Sequence, residues 1–177
     1  RYQNEDVQCE YVKVEALDDG APQKDIVAAS KRGRSHAQEA KPRDDHFKMA
    51  HLENGWYIMA VADGAGSAKY SREGSRIACE TVIKHCEEEL AKCQSFEDNI
   101  NLWHLDQGSV EAGKLISADI YRIVGNAALK AHRAINEEAK LQQIPSKAYA
   151  TTLLLAICKK FDFGWFVASF WVGDGAM

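Results

Sequence analysis

The stretch that most constrains this chain is residues 56–71, with the sequence WYIMAVADGAGSAKYS. A short apolar run leads directly into Asp63 and Gly64, and small and polar residues follow it. A bounded apolar run predicts a buried strand, and Asp-Gly is a strong stop signal because glycine adopts backbone angles that other residues resist. The stretch therefore predicts a strand that holds the Asp63 carboxylate at its end, followed by a turn and the start of a helix.

The same construction recurs at residues 164–176, where an apolar run leads into Gly173 and Asp174. An Asp-Gly pair on its own most often forms a tight turn. Here, however, two hydrophobic segments each end in Asp-Gly-Ala, and Asp44 and Asp45 lie just before a third candidate strand. Several carboxylates are therefore predicted to meet at one edge of a sheet.

Clustered carboxylates repel one another, and each would retain its proton unless a cation neutralised the group. A ligand set made only of oxygen atoms favours magnesium, manganese or calcium over zinc. No paired histidine or cysteine spacing competes for the role. The sequence thus predicts a centre for a hard divalent metal.

Four motifs occur in order along the chain: GRSH at 33–36 with PRDDHF at 42–47, VADGAGS at 61–67, ATTL at 150–153, and WVGDG at 171–175. In this order and spacing they resemble the metal-dependent serine/threonine protein phosphatases (PPM, or type 2C), most closely the bacterial branch of that family. Each motif alone is weak. Together they are fairly specific, and they cover about residues 25–177.

The resemblance implies an α+β fold with two stacked antiparallel β-sheets flanked by α-helices. Residues 25–177 would form the phosphatase domain, and residues 1–24 an N-terminal extension or first strand. The family's remaining metal-binding aspartates lie on strands that follow the Gly-Asp-Gly segment. We therefore expect the domain to lack its C-terminal strands and the natural protein to continue past Met177.

The resemblance also implies a site with two metal ions, Mn²⁺ or Mg²⁺, in which Asp44 and Asp63 are the catalytic carboxylates. The implied metal ligands are Asp44, Asp63, the main-chain carbonyl of Gly64, and Asp174. Asp45 would orient ligands or waters, although a solvated or capping role is equally compatible with its position. A metal-activated water would attack phosphorus without a covalent nucleophile.

Three basic residues before or within the acidic motif compete as phosphate ligands: Arg34, Lys41 and Arg43. His36 and His46 flank the same segment and could assist, although a lone histidine in a loop is more often a surface group. Many family members carry a histidine directly after the Asp-Gly pair to protonate the leaving alcohol, but this chain has Ala65. The proton must then come from a water or another residue.

Length and composition support a single domain, because 177 residues suit one core. A net charge of -4 argues against nucleic-acid or anionic-membrane partners. Five cysteines without a Cys-x-x-Cys pair favour free thiols in a reducing cytoplasm. The longest apolar run, residues 153–158, is far shorter than the ~20 residues that span a bilayer.

Apolar periodicity predicts two long helices. The first follows Ser71, with Ala78, Val82, Cys86 and Leu90 on one stripe, and the second runs from Ile120 to about Gln143. Between them, residues 91–117 are polar, and Gly108 and Gly113 weaken any continuous helix. Further strands are predicted at 7–16, 26–30, 151–159 and 164–172.

The resemblance to the metal-dependent phosphatases implies hydrolysis of phosphoserine and phosphothreonine in proteins, and we expect the substrates to include a serine/threonine kinase or its targets. The alternative is a pseudophosphatase or regulatory binding module, which Ala65 and the missing downstream acids would suit. A third hypothesis is a nucleotide-binding loop at 64–69, because a helix start beside glycines can hold phosphate. It fails because Lys69 occupies the third glycine position and lacks the neighbours of a phosphate-loop lysine.

Overall fold

The computed structural model describes residues 7–15, 23–106 and 109–173. Its strands are β1 (Val7–Val12), β2 (Ile26–Lys31), β3 (His46–His51), β4 (Tyr57–Ala62), β5 (Leu153–Phe161) and β6 (Gly164–Val172). Its α-helices are α1 (Arg34–Gln38), α2 (Ser71–Leu90), α3 (Gln94–Leu105), α4 (Val110–Ile120) and α5 (Asn126–Leu141). A π-helical turn, Tyr121–Gly125, joins α4 to α5, and a 3-10 turn, Ser146–Tyr149, precedes β5.

The strands form two antiparallel sheets, which confirms the predicted α+β class. One sheet contains β1 and β2, and the other has the order β3-β4-β5-β6. The predicted hairpin between the last two strands is present, with Phe161 paired to Gly164. In the β3–β4 pair, His46 lies opposite Ala62, and this register places the acidic residues described below.

The four-stranded sheet buries its two faces against different layers, because side chains alternate along each strand. Ile58, Ala60 and Ala62 of β4 join the main core with the helices. Tyr57 packs with Phe47 in a second cluster, which includes residues of β1 and β2. The small sheet therefore stacks on the β3–β4 half of the large one, opposite the helices.

The predicted stripe on α2 is confirmed, because Ala78, Val82, Cys86 and Leu90 are all buried. Helix α2 packs against β3, β4 and α5. The second predicted helix is interrupted by the π-helical turn and ends at Leu141. The strand predicted at 7–16 forms only as Val7–Val12, and residue 16 lies outside the described residues.

The polar segment 91–117 is not the irregular region that its composition indicated, since it contains α3 and most of α4. Phe96 and Ile100 of α3 are fully buried. Phe96 stacks on Trp56, with 5.5 Å between ring centroids. Tertiary packing of these few side chains overrides the weak local signal.

All five cysteines are free, as predicted. In the part of the chain that the structure describes, no helix combines the length and the apolar character needed to cross a membrane.

A partly buried polar network attaches α3 to the sheet through Glu97. Trp56 Nε1 donates to Glu97 Oε1 over 2.8 Å, and Cys93 Sγ donates to the same oxygen over 3.3 Å. Lys159 Nζ of β5 lies 2.6 Å from Glu97 Oε2. One carboxylate thus satisfies donors from three different parts of the fold.

Glu97→Ala is expected to lower the free energy of unfolding by about 2–3 kcal/mol, because it leaves the Lys159 ammonium and the Trp56 N–H without an acceptor. Urea unfolding measures the change. The matched control is Glu80→Ala, which breaks an exposed i,i+4 pair with Arg76 and is expected to change stability by less than about 0.5 kcal/mol. Equal effects of the two variants would contradict a structural role for the Glu97 network.

Candidate active site

The strand register brings Asp45 and Asp63 together. His46 pairs with Ala62, so the next step along both strands sets Asp45 across from Asp63. The two carboxyl groups are within hydrogen-bonding reach. Burial, the hydrogen bond to Asp63 and the negative charge of Asp63 raise the pKa of Asp45, in that order of importance. This side-by-side arrangement needs either a shared proton or a cation.

Asp44 is directed differently, because consecutive residues at the end of a strand point to opposite sides. Its carboxylate lies 3.8 Å from the Nε2 atom of His36, which belongs to α1. The structure therefore pairs Asp63 with Asp45, and Asp44 with His36. The roles predicted for Asp44 as a metal ligand and for Asp45 as an orienting group stay predictions. Asp174 lies outside the described residues.

The backbone of Asp63 is held by the ATTL motif. Its N–H donates to Thr152 Oγ1 over 3.0 Å, and its carbonyl accepts from Thr152 N over 2.8 Å and from Thr151 Oγ1 over 3.0 Å. Ala65 N also donates to Ala150 O over 2.9 Å. The acid therefore sits on a fully bonded main chain, with its side chain exposed.

Gly64 is required for close packing. A Cβ atom there would lie 2.7 Å from the Asp44 carbonyl oxygen and 2.9 Å from Ser71 Cβ. From the sequence, we expected a glycine here because glycine adopts backbone angles that other residues resist. That explanation is wrong, because Gly64 does not adopt a positive φ angle. Its missing side chain lets the Asp44 and Asp63 segments meet at the start of α2.

An open cavity of about 550 Å³ lies beside the paired acids. Asp45 and Asp63 stand on one side, and the end of β2, including Lys31, forms another. Phe47 and Val61 supply apolar wall. The cavity can admit a phosphoryl group to the acids, and Lys31 brings positive charge to its rim. Lys31 was not among the phosphate-ligand candidates predicted from the sequence.

His46 also lines this cavity. Burial, followed by the positive charges of Arg43 and Arg76, lowers the pKa of His46 to about 4. The imidazole is therefore neutral near pH 7.

The three phosphate-ligand candidates have different settings. Arg34 is exposed at the first position of α1. Lys41 is also exposed, and its Nζ lies 2.6 Å from Glu39 Oε2. Arg43 is only 6% exposed, and its Nη1 donates to the main-chain carbonyl of Asp45. The structure brings Arg43 to the acidic segment itself, whereas Arg34 and Lys41 remain at the surface.

The donors of the acid pair fit a hard divalent cation, because they are carboxylate oxygens whose mutual repulsion such an ion would relieve. They do not form a complete ligand shell. Among the described residues, no three histidine, cysteine, aspartate or glutamate side chains come close enough to hold a metal ion.

A family model described as "Protein phosphatase 2C" matches residues 32–177. No curated protein and no solved structure matches the chain. The matched segment contains α1, the neighbouring residues Asp44 and Asp45, Asp63, and the strands β5 and β6 of the last hairpin.

Proposed function

Because this chain belongs to the protein phosphatase 2C family, we propose that it hydrolyses phosphoserine and phosphothreonine in proteins by means of a metal-activated water. The observation that carries the proposal is the contact between Asp45 and Asp63 at an open cavity, next to Lys31. Two adjoining carboxyl groups suit cation binding, and a basic residue opposite them suits a phosphate ester. Substrates would be phosphorylated proteins, including a serine/threonine kinase or its targets.

The proposed ligands of Mn²⁺ or Mg²⁺ are the facing carboxylates Asp45 and Asp63, the Gly64 carbonyl and Asp174. Asp44, which was the ligand predicted from the sequence, faces His36 and would orient ligands or water instead. When bound, the cations would activate water and neutralise charge on the phosphoryl oxygens. The chain's own contribution is rigidity, because Thr151 and Thr152 hold Asp63 in place. A fixed carboxylate loses little freedom on binding an ion.

Lys31 is the basic residue on the cavity wall and is proposed to attract the phosphate ester. Arg34 and Lys41 are proposed to contact the phosphate or the surrounding peptide from the exposed segment before the acids. Ala65 carries no transferable proton, so water in the open cavity would protonate the leaving alcohol.

The test is release of phosphate from an aryl phosphate and from phosphoserine, phosphothreonine and phosphotyrosine peptides, with Mn²⁺, with Mg²⁺ and with chelator. We expect turnover only with metal, and faster release from the phosphoserine and phosphothreonine peptides than from the phosphotyrosine peptide. Binding of Mn²⁺ without turnover of any substrate would favour the binding-module alternative. Absence of Mn²⁺ binding by calorimetry would overturn the site.

A further inference from the structure

Two consecutive carbonyl oxygens of the acidic segment accept hydrogen bonds from buried side chains. Ser75 Oγ donates to the Asp44 carbonyl over 2.5 Å, and Arg43 Nη1 donates to the Asp45 carbonyl. Ser75 is fully buried, and Arg43 is 6% exposed. Both bonds go to the main chain, so they hold the backbone of the segment while the Asp45 carboxyl group meets Asp63 and the Asp44 carboxylate lies beside His36.

The two donors come from different elements. Ser75 lies near the start of α2, whereas Arg43 belongs to the loop before β3. The Asp44 carbonyl is also close to Gly64, where a Cβ atom would approach it to 2.7 Å. The acidic segment is therefore held from the helix, from the neighbouring strand end and from its own loop.

This arrangement gives Arg43 a different role from the one considered from the sequence. A guanidinium that is almost completely buried and donates to a main-chain carbonyl is poorly placed to meet a phosphate arriving from solvent. We propose that Arg43 and Ser75 are positioning residues that hold the Asp44-Asp45 main chain, so that Asp45 faces Asp63 and Asp44 faces His36. The link to catalysis rests on the proposed phosphatase function, but the positioning itself does not.

The first experiment measures hydrogen exchange of residues 41–47 without metal, by mass spectrometry of proteolytic fragments. Ser75→Ala and Arg43→Met are expected to speed exchange in this segment by about tenfold, because each removes a bond that restrains it. Ser71→Ala is the matched control. Ser71 is a similarly buried serine on the same helix that does not donate to Asp44, and its variant should exchange like the wild type.

The second experiment measures Mn²⁺ affinity and steady-state hydrolysis of an aryl phosphate. Loss of a group that orients a ligand typically weakens metal binding or activity by about 10–100-fold, so we expect about tenfold weaker Mn²⁺ binding in both variants. Arg43→Met should lower kcat while KM changes less than about twofold. Arg34→Met is the comparison for a direct phosphate contact and should raise KM instead. Arg43→Lys should recover part of kcat, because an ammonium group can donate to the same carbonyl.

Unchanged exchange in both variants would overturn the positioning role, and a rise in KM as the main effect of Arg43→Met would make Arg43 a phosphate ligand. Failure of the phosphatase proposal looks different. In that case the wild type itself would neither bind Mn²⁺ nor hydrolyse the ester, while the exchange experiment would still decide whether Arg43 and Ser75 hold the segment.

Discussion

Asp63→Asn is expected to lower metal-dependent hydrolysis of an aryl phosphate by about 10²–10³-fold and to weaken Mn²⁺ binding. The amide has nearly the size of the carboxylate but lacks its charge. The hydrogen bonds from Asp63 to Thr151 and Thr152 use main-chain atoms on the Asp63 side, so the substitution leaves them in place. The loss of activity should therefore come from the missing negative charge, and the fold should be retained.

The control for this variant is Asp162→Asn, which changes an exposed aspartate in the turn between β5 and β6. It removes the same charge far from the acid pair and should leave activity and Mn²⁺ affinity unchanged. Asp63→Asn should unfold at or slightly above the wild-type temperature, because the substitution relieves the repulsion between Asp63 and Asp45. Retention of more than about a tenth of the activity would show that Asp63 is not the central acid.

Gly74→Ala is expected to reduce the free energy of unfolding by about 3 kcal/mol, at the upper end of overpacking effects. A Cβ atom at Gly74 would lie 1.9 Å from the carbonyl oxygen of Tyr149 and 2.8 Å from its carbonyl carbon. Both are backbone atoms, so neither can move aside as a flexible side chain would. Helix α2 and the turn before β5 must then separate.

That separation should also lower activity, since Tyr149 leads directly into Thr151 and Thr152, which hold Asp63. Urea unfolding and aryl phosphate hydrolysis together measure the effect. Gly113→Ala is the control, because Gly113 lies within α4 and a Cβ atom there meets nothing within 4 Å. That variant should be stabilised by about 0.5–1 kcal/mol. If Gly74→Ala unfolded at the same urea concentration as the wild type, the close contact between Gly74 and the Tyr149 carbonyl would be contradicted.

The elements predicted most accurately are those whose signal is local. The apolar run at 57–62 and the stripe from Ala78 to Leu90 are contiguous or periodic patterns, and they form β4 and α2. Helix α3 was missed because its burial depends on Phe96 stacking on Trp56, which lies 40 residues earlier in the chain. A contact between such distant residues leaves no periodic trace in a polar segment.

The sequence by itself determined that carboxylates follow or precede strands, and its motifs identified the family and the stacked-sheet class. Tertiary structure decided which groups meet: Asp45 faces Asp63, and Asp44 faces His36. It also buried Arg43, which the sequence analysis considered as a phosphate ligand. The reason is that neighbouring strand residues point to opposite faces, so a shift of one residue exchanges their partners. The pairing of β3 with β4, from His51–Tyr57 to His46–Ala62, sets that register, and the acidic motif alone does not encode it.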